Sequence, residues 1–595
     1  MMQYDDRTHA ELGALLKDRG ISVPRSKAER IAALIWDDSK QKIEGEIPGT
    51  YTDKEVDTDT VVSAQSDRMK RLQQTFPWAT VPVIAIALLL IVGGSVTAVL
   101  FGGEIMDWFS ADEFDGELID FDPAQARAFA EGLVALGHPE WEGRMSGTIE
   151  EHNAAQSNLQ NFTDFGLATE DNSFAVPMFE IQEEPQLSIC MPGIFFPPCG
   201  FSDFGSTETV FAHRSDFVLQ GYSGSADYQY QDQIPVVDLG NASDESAWEN
   251  ASASIGLVFG QGGVSSNTEL FIKAQQSDLY GLILVTWNSG TDEGSTPNNC
   301  KIPGENGRCV PYFKSVDTSQ FESLPPGIPF MMVSDQVGVQ IRDNVVNGDG
   351  LIRMIVNVDN QGERDVKAPC GILPGQTDKL IIFGAHHDTV YGAQGAVDDT
   401  SGTATVLELA RQFANMAQSR GDPYYTLKFC TWGGEEEGLH GSKAYVASYL
   451  TVLQENLRLY VNLDMNHVDI DLDERGNGLW LFGNDKRDTQ YIEQIVDSFE
   501  EKNPRGLASK YTINTNTLDG PKGASDGMPY NSDHGPFVYD IQQEDDDERG
   551  RALVCYGSGS WEYHTFHDDM DRFNEESLAV SGIIYGSYVA WLAWS

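Results

Sequence analysis

Residue types that bind metal ions follow apolar stretches in the second half of the chain, and this pattern constrains the fold most. Residues 380–383 are apolar, and His386, Asp388 and Asp398 come after them in a glycine-rich segment. The apolar run predicts a buried β-strand, and strands of an open α/β sheet present their polar residues at the C-terminal end. Imidazoles with carboxylates are a ligand set typical of zinc. The segment therefore predicts a strand that ends at a metal site.

The same arrangement recurs three more times. Apolar runs at 427–431, 460–465 and 552–556 predict further strands, and 400–416 predicts an amphipathic helix. The polar residues at the ends of these strands are, in chain order, Glu435, Glu436, Asp464, His564 and Asp568. Singly, each would be an ordinary loop acid or a buried histidine. If the strands are neighbours, at least four carboxylates and two imidazoles converge, and protons or cations must offset their repulsion. We therefore expect two divalent metal ions.

Five segments now support a resemblance to a known family. They read GAHHD, VDDTSG, GGEEEGLHGS, VNLDM and YHTFHDD, and they begin at Gly384, Val397, Gly433, Val461 and Tyr563. In sequence and order they resemble the signature segments of metallopeptidase family twenty-eight, the co-catalytic dizinc aminopeptidases. The resemblance implies a mixed, mainly parallel sheet with helices on both faces, which is the zinc exopeptidase fold.

The resemblance also implies a role for each matching residue. His386 and Asp464 would hold one Zn²⁺, Glu436 and His564 would hold the other, and Asp398 would bridge the two. Glu435 would be the general base that activates a water for attack on a peptide bond. Asp388 and Asp568 would orient His386 and His564 through a carboxylate–imidazole hydrogen bond. The peptide bond between Asp398 and Asp399 would be cis.

Three other histidines lie near these segments. Side chains alternate along a strand, so His387 is expected to point away from the metals, towards the sheet or solvent. His440 is an additional imidazole in the third segment. His534 matches a family segment that lines the substrate cleft, and we expect it to line a pocket. The acidic run at 544–548 would favour a cationic substrate amine.

The rest of the region after residue 103 divides into three parts. Residues 104–200 are interpreted as the start of the peptidase domain, with a helix at 123–136 and a segment at 141–148 that resembles the first part of secreted zinc aminopeptidase domains. Residues 201–357, here called the insert, contain short β-like runs and a helical stretch at 269–279. The insert resembles a β-rich protease-associated domain, and the alternative is a β insertion without a separate function. Residues 358–595 are interpreted as the catalytic domain.

Residues 77–103 contain no charged side chain and are long enough to cross a bilayer as one helix. Basic residues precede this stretch and acidic residues follow it, so the positive-inside rule places the N-terminus in the cytoplasm and the catalytic domain outside. A buried soluble helix is the alternative. Of the chain's 39 basic and 91 acidic residues, 27 and 77 come after residue 103. This excess of negative charge disfavours general nucleic-acid binding by the main body.

Residues 1–40 resemble the helix–extended–helix module of SAP-like domains, many of which bind DNA. Basic and acidic side chains balance in this module, so the electrostatic support for DNA binding is weak. A cytoplasmic protein is the partner that we expect instead, and a plain helical hairpin is a further alternative. Residues 41–76 are polar and predict a flexible linker.

The cysteine spacing predicts two local disulfides. Cys190 with Cys199 and Cys300 with Cys309 form close pairs in Pro- and Gly-rich loops, consistent with an oxidising compartment. Cys430 and Cys555 lie in apolar runs and are predicted to be buried thiols, and the state of Cys370 is left open.

Together these observations predict a membrane-anchored, extracytoplasmic, zinc-dependent exopeptidase that acts on peptides, with aminopeptidase activity preferred. A carboxypeptidase or a glutaminyl cyclase on the same fold is the alternative enzyme. A receptor-like protein that has lost its metals is the alternative without catalysis, and the intact set of ligands with Glu435 argues against it.

Overall fold

The computed structural model describes residues 114–192, 199, 207–260, 264, 266–286, 298–302, 304–321, 327–468, 477–541, 549–557 and 561–595. The predicted SAP-like module, the linker, the membrane span and the acidic run at 544–548 lie outside these residues.

The described residues contain ten α-helices and fifteen β-strands. The helices are α1 Pro123–Val134, α2 Ile149–Asp164, α3 Glu245–Glu249, α4 Asn267–Gln276, α5 Asp335–Ile341, α6 Thr400–Arg420, α7 His440–Ser448, α8 Leu450–Asn456, α9 Lys486–Lys502 and α10 Glu575–Trp594. The strands are β1 Ala168–Met191, β2 Thr207–Val210, β3 Phe217–Leu219, β4 Ala226–Tyr228, β5 Val236–Asp238, β6 Ile255–Phe259, β7 Gly281–Val285, β8 Phe330–Val333, β9 Leu351–Leu373, β10 Leu380–His386, β11 Thr426–Trp432, β12 Leu457–Leu463, β13 Gly478–Gly483, β14 Thr512–Thr517 and β15 Ala552–Gly557.

A ten-stranded mixed sheet organises the catalytic region. Its order is β14-β13-β15-β12-β10-β11-β9-β1-β2, and β4 pairs with β9. The four central strands, β15, β12, β10 and β11, are parallel. The predicted mixed α/β class is therefore confirmed, and the predicted strands that end in polar residues are the neighbours at its centre.

Alternation along β10 explains why helices lie on both faces of this sheet. Phe383 packs on Phe413 of α6 with their ring centroids 5.7 Å apart. Ile382, the preceding residue, lies instead in the buried cluster that contains Tyr445 of α7. Because neighbouring side chains point to opposite faces, this continuously apolar strand requires a cover on each side.

Two long strands connect the catalytic sheet to a second sheet in the insert. The antiparallel pair β1 and β9 runs across the predicted boundary at residue 357. The second sheet has the order β3-β8-β7-β6-β5, and all its pairings are parallel except that of β3 with β8. Helix α4, from Asn267 to Gln276, lies where the sequence predicts a helical stretch.

One helix among the described residues, α10, is long and apolar enough to cross a membrane by length and composition alone. However, 83% of its most apolar window is buried inside the protein. Tyr588 of α10, for example, donates a hydrogen bond to Asp488 of α9. Such burial is typical of a core helix of a soluble domain.

Both predicted local disulfides are present, and a third joins Cys370 to Cys430. The prediction that Cys430 is a free thiol is therefore wrong. The two residues are 60 positions apart in sequence but directly opposite each other in the antiparallel pairing of β9 with β11. Cys555 is a buried free thiol, as predicted.

Candidate metal centre

The six predicted core residues of the site converge at the ends of the central strands. Their ligand atoms form two groups, and within each group these atoms lie within 4.8 Å of one another. The first group is His386, Glu435 and Asp464, and the second is Asp398, Glu436 and His564. Among the residues expected to bind a single metal ion, His386 and Asp464 lie in the first group and Glu436 and His564 lie in the second, as the resemblance implies. Glu435 lies in the first group.

Asp398 lies between the two imidazoles. Its Oδ1 atom is 3.2 Å from Nε2 of His386, and its Oδ2 atom is 3.1 Å from Nε2 of His564. Glu436 Oε2 is 2.9 Å from the same His564 nitrogen. The Asp398–Asp399 peptide bond is cis, as the resemblance implies. One carboxylate with an oxygen towards each imidazole is the arrangement expected of a bridging ligand.

Asp388 supports the first imidazole and the two glutamates. His386 Nδ1 lies 3.1 Å from the backbone oxygen of Asp388 and 3.4 Å from its Oδ1 atom. The Asp388 carboxylate accepts hydrogen bonds from the backbone N–H groups of Glu435 and Glu436, at 3.3 and 3.2 Å. Ser146 donates a third, at 2.6 Å. Asp388 therefore holds the loop after β11 as well as the imidazole beside it.

The second imidazole is supported differently from the prediction. His564 Nδ1 lies 2.8 Å from the backbone oxygen of Phe313, which belongs to the insert. The described residues show no hydrogen bond between Asp568 and His564. The Asp568 carboxylate instead accepts from the backbone N–H groups of Val397 and Asp398, at 2.8 and 3.1 Å. The interpretation of Asp568 as the partner of His564 is therefore corrected: its carboxylate orients the bridging segment.

Two buried residues of the site were not assigned a role from the sequence. Arg144 is fully buried and donates to the backbone oxygens of His387 and Gln394 and to Thr400 Oγ1. Burial lowers its pKa to about 10, although nearby acids oppose this shift. Asp399 caps α6 by accepting from Gly402 N and also accepts from Met465 N, at 3.0 and 2.9 Å. The sequence signal that could have identified Arg144 is the presence of an arginine in the short segment that precedes α2.

Burial and crowding shift the pKa values of the site. Burial raises the pKa of Glu435 well above its usual value, and the nearby carboxylates of Glu436 and Asp464 raise it further. Burial likewise raises the pKa of Asp464, to about 6. Burial alone would lower the pKa of His564, but Glu436 and Asp398 raise it to about 9. The carboxylates of the site therefore stay protonated or bind cations, because so many buried negative charges repel one another.

The three neighbouring histidines have separate partners. His387 Nε2 lies 2.8 Å from Glu151 Oε1, and its Nδ1 lies 3.1 Å from Thr431 Oγ1, so it points away from the metal ligands as predicted. His440 Nε2 lies 3.0 Å from the Tyr222 hydroxyl in the insert. His534 is fully buried, with Nε2 2.7 Å from the backbone oxygen of Pro529. The expectation that His534 lines an open pocket is wrong, because its side chain has no exposed surface.

The residues present fit two zinc ions. Glu436 Oε1 is buried and has no hydrogen-bond partner among the described residues, which is costly unless a cation binds there. Each group combines an imidazole with carboxylate oxygens, and zinc favours such ligands. Asp398 presents one oxygen to each group.

Comparisons with known proteins agree with this geometry. Residues 370–589 match the model of Peptidase family M28. The chain is 36% identical over 115 residues to the probable glutamate carboxypeptidase VP8 of Zea mays, covering 18% of this chain and 16% of the relative. It is 33% identical over 140 residues to the probable lipoprotein aminopeptidase LpqL of Mycobacterium tuberculosis, covering 23% and 26%. The matched stretches thus span about a quarter or less of these relatives.

The solved structure of BSAP, a zinc aminopeptidase from Bacillus subtilis, has the same fold. Its TM-score is 0.55 at 18% identity, covering 80% of this chain and 97% of that chain. In this chain the mixed sheet brings two imidazole–carboxylate groups to its strand ends, and the fold is that of the zinc aminopeptidases. Within residues 370–589 the chain is similar to Peptidase family M28, and its relatives include proteins named as aminopeptidases and as carboxypeptidases.

Proposed function

We propose that the chain is a dizinc exopeptidase that removes N-terminal residues from peptides. The observation that carries this proposal is the position of Asp398, with one carboxylate oxygen 3.2 Å from His386 Nε2 and the other 3.1 Å from His564 Nε2. His386 and Asp464 would hold one zinc ion, Glu436 and His564 the other, and Asp398 both. When bound, the two ions supply a polarising Lewis acid and a water of near-neutral pKa.

Glu435 is the residue that moves the proton. Its carboxylate lies in the same group of ligand atoms as His386 and Asp464, and Asp388 holds its backbone N–H. From this position Glu435 accepts a proton from the attacking water and returns it to the leaving amine. Burial favours its protonated form, which suits the second of these two transfers.

The experiment that tests this assignment is the Glu435→Gln substitution. Gln keeps the size of the side chain but cannot accept the proton, so we expect kcat to fall by about 10²- to 10⁴-fold. The zinc content, measured by elemental analysis of the purified protein, should stay at the wild-type value. Wild-type turnover by this variant would show that another group is the base.

Carboxypeptidase activity is the second candidate, since one relative is named as a probable glutamate carboxypeptidase and is 36% identical over its matched stretch. A panel of peptides blocked at one end or the other separates the two. Aminopeptidase activity predicts that N-blocked peptides are resistant and C-blocked peptides are cleaved. Release of C-terminal residues from N-blocked peptides would contradict our preference, and cyclisation of N-terminal glutamine would indicate the glutaminyl cyclase alternative.

We also propose that the peptidase is anchored by residues 77–103 with its catalytic domain outside the cytoplasm. The three disulfides support an oxidising compartment. Protease treatment of intact cells tests the orientation: the catalytic domain should be digested, and its full protection would contradict the proposal.

The insert is proposed to act as a protease-associated lid, and residues 1–40 are proposed to dock a cytoplasmic protein rather than DNA.

A further inference from the structure

The loop that carries His564 is held by one segment of the insert. This segment, here called the arm, consists of residues 298–302 and 304–316. Phe313 in the arm makes two contacts with His564: its backbone oxygen lies 2.8 Å from Nδ1, and its backbone N–H donates to the His564 oxygen at 3.0 Å. The arm therefore fixes both the backbone and the ring of this one residue.

The contact to Nδ1 decides which nitrogen of His564 can bind a metal. A backbone oxygen only accepts hydrogen bonds, so Nδ1 must carry the hydrogen. In the neutral imidazole the lone pair is then on Nε2. Nε2 is the atom that faces Asp398 Oδ2 and Glu436 Oε2, at 3.1 and 2.9 Å. The arm thus selects the tautomer that presents a free lone pair to the other ligands of the second group.

Side-chain contacts on both sides of His564 fix the loop against the arm. Lys314 Nζ donates to the Tyr563 hydroxyl at 2.8 Å and lies 4.6 Å from the centre of that ring. Glu305 Oε1 is 2.8 Å from Nε2 of His567. Apolar residues complete the contact: Ile302, Val310 and Trp561 form a buried cluster against which Phe566 packs.

The disulfide between Cys300 and Cys309 closes the arm on itself. Cys309 is directly followed by Val310 of the apolar cluster and lies four residues before Phe313. A crosslink of this kind limits the conformations open to the chain between and beside its ends. The arm is therefore constrained at one side by the disulfide and at the other by backbone hydrogen bonds of Lys314 and Val316 with Gly221.

We propose that the disulfide-closed arm of the insert is a positioning element for His564, and that it sets the affinity of the second metal group without itself binding metal or substrate. The proposal rests on the proposed dizinc function. Other contacts of the insert, such as Tyr222 with His440 and Leu219 N with Tyr391, reach the loops of the site but no ligand imidazole. The effect of the arm should therefore be confined to one zinc ion of the two.

The test compares two double variants of the full chain. C300S/C309S opens the arm, and C190S/C199S is the matched control because its disulfide spans the same separation of 9 residues. Zinc affinity is measured by titration of the metal-free proteins, and amide hydrogen exchange is followed at residues 561–568. We expect C300S/C309S to bind one of its two zinc ions about 10- to 100-fold more weakly, the effect typical of lost support for a ligating imidazole. Exchange at 561–568 should be faster, whereas the control should match the wild type in both.

Two unchanged zinc affinities in folded C300S/C309S, with unchanged exchange at 561–568, would overturn the proposal. If that variant does not fold, Lys314→Met decides, because it removes the hydrogen bond to Tyr563 and keeps a side chain of similar length. It should weaken the same single zinc ion and speed the same exchange, and wild-type values for both would contradict us. A wild-type protein that binds no zinc would refute the dizinc function, while exchange in the metal-free variants would still test the arm.

Discussion

The two metal groups are built from similar residues but supported in opposite ways. In the first, the Nδ1 atom of His386 contacts Asp388, two residues further along the chain. In the second, the Nδ1 atom of His564 contacts the backbone oxygen of Phe313, which is 251 residues away in the insert. One imidazole is thus oriented by its own loop, and the other by the insert. The difference teaches that a segment distant in sequence can support a metal-ligating imidazole as directly as the ligand's own loop does.

The substitution Asp388→Asn is expected to have the largest effect on the two metal groups, because the Asp388 carboxylate contacts residues of both. Its carboxylate accepts from the N–H groups of Glu435 and Glu436 and lies beside His386. An amide offers one oxygen instead of two, so one of these bonds must be lost. We expect zinc affinity and kcat/KM each to fall by about 10- to 100-fold, measured by zinc titration and peptide hydrolysis.

Glu437→Gln is the matched control for this variant. Glu437 is also buried and shares Ser146 with Asp388, but it accepts no hydrogen bond from the backbone of Glu435 or Glu436 among the described contacts. The control should keep both zinc affinities within a few-fold of the wild type. Equal losses in the two variants would mean that the buried acids act only through overall charge.

A smaller effect is expected on the pH dependence of the free energy of unfolding, through a histidine at the contact between the insert and the peptidase domain. His440 contacts Tyr222 of the insert, and burial lowers its pKa to about 4. Folded protein therefore keeps this imidazole neutral, whereas the unfolded chain takes up a proton below about pH 6.5. His440 stabilises the fold fully above that pH and less as the pH falls towards 4. In the wild type, proton uptake by the unfolded chain at His440 lowers the free energy of unfolding by up to about 1.4 kcal/mol for each unit by which the pH falls in that window. In His440→Gln this part of the decrease should be absent.

Urea unfolding of the wild type and of His440→Gln at pH 7, 6 and 5 measures this difference. Because the comparison is between two proteins at each pH, the raised pKa values of the buried acids cancel. Identical pH slopes for the two proteins would contradict the account of His440 as a neutral buried histidine.

The sequence predicted those parts of the site that are contiguous in the chain. The strand at β10 and the order of the ligand segments follow from short motifs, and the structure brings His386, Asp398 and His564 together. The partner of Asp388 could be predicted because it lies two residues away. The mistaken partner, Asp568, was assigned from the family resemblance; it lies only four residues after His564 but contacts the backbone of Val397 and Asp398 instead.

The parts that could not be predicted depend on contacts between distant segments. The carbonyl of Phe313 carries no side-chain signal, so no motif could connect it with His564. Cys370 and Cys430 meet only because the register of β9 against β11 sets them opposite each other. The length of β1 and β9 was hidden too, since long stretches of both strands are exposed or half-buried and carry few apolar residues.

The most direct test of the central claim is anomalous X-ray scattering at the zinc edge from crystals of the zinc-loaded full chain. Our account predicts two zinc peaks on either side of Asp398, one beside His386 and Asp464 and the other beside Glu436 and His564. The Nδ1 atom of His564 should remain in contact with the Phe313 carbonyl. A single peak, or two peaks of which neither contacts Asp398, would contradict the account.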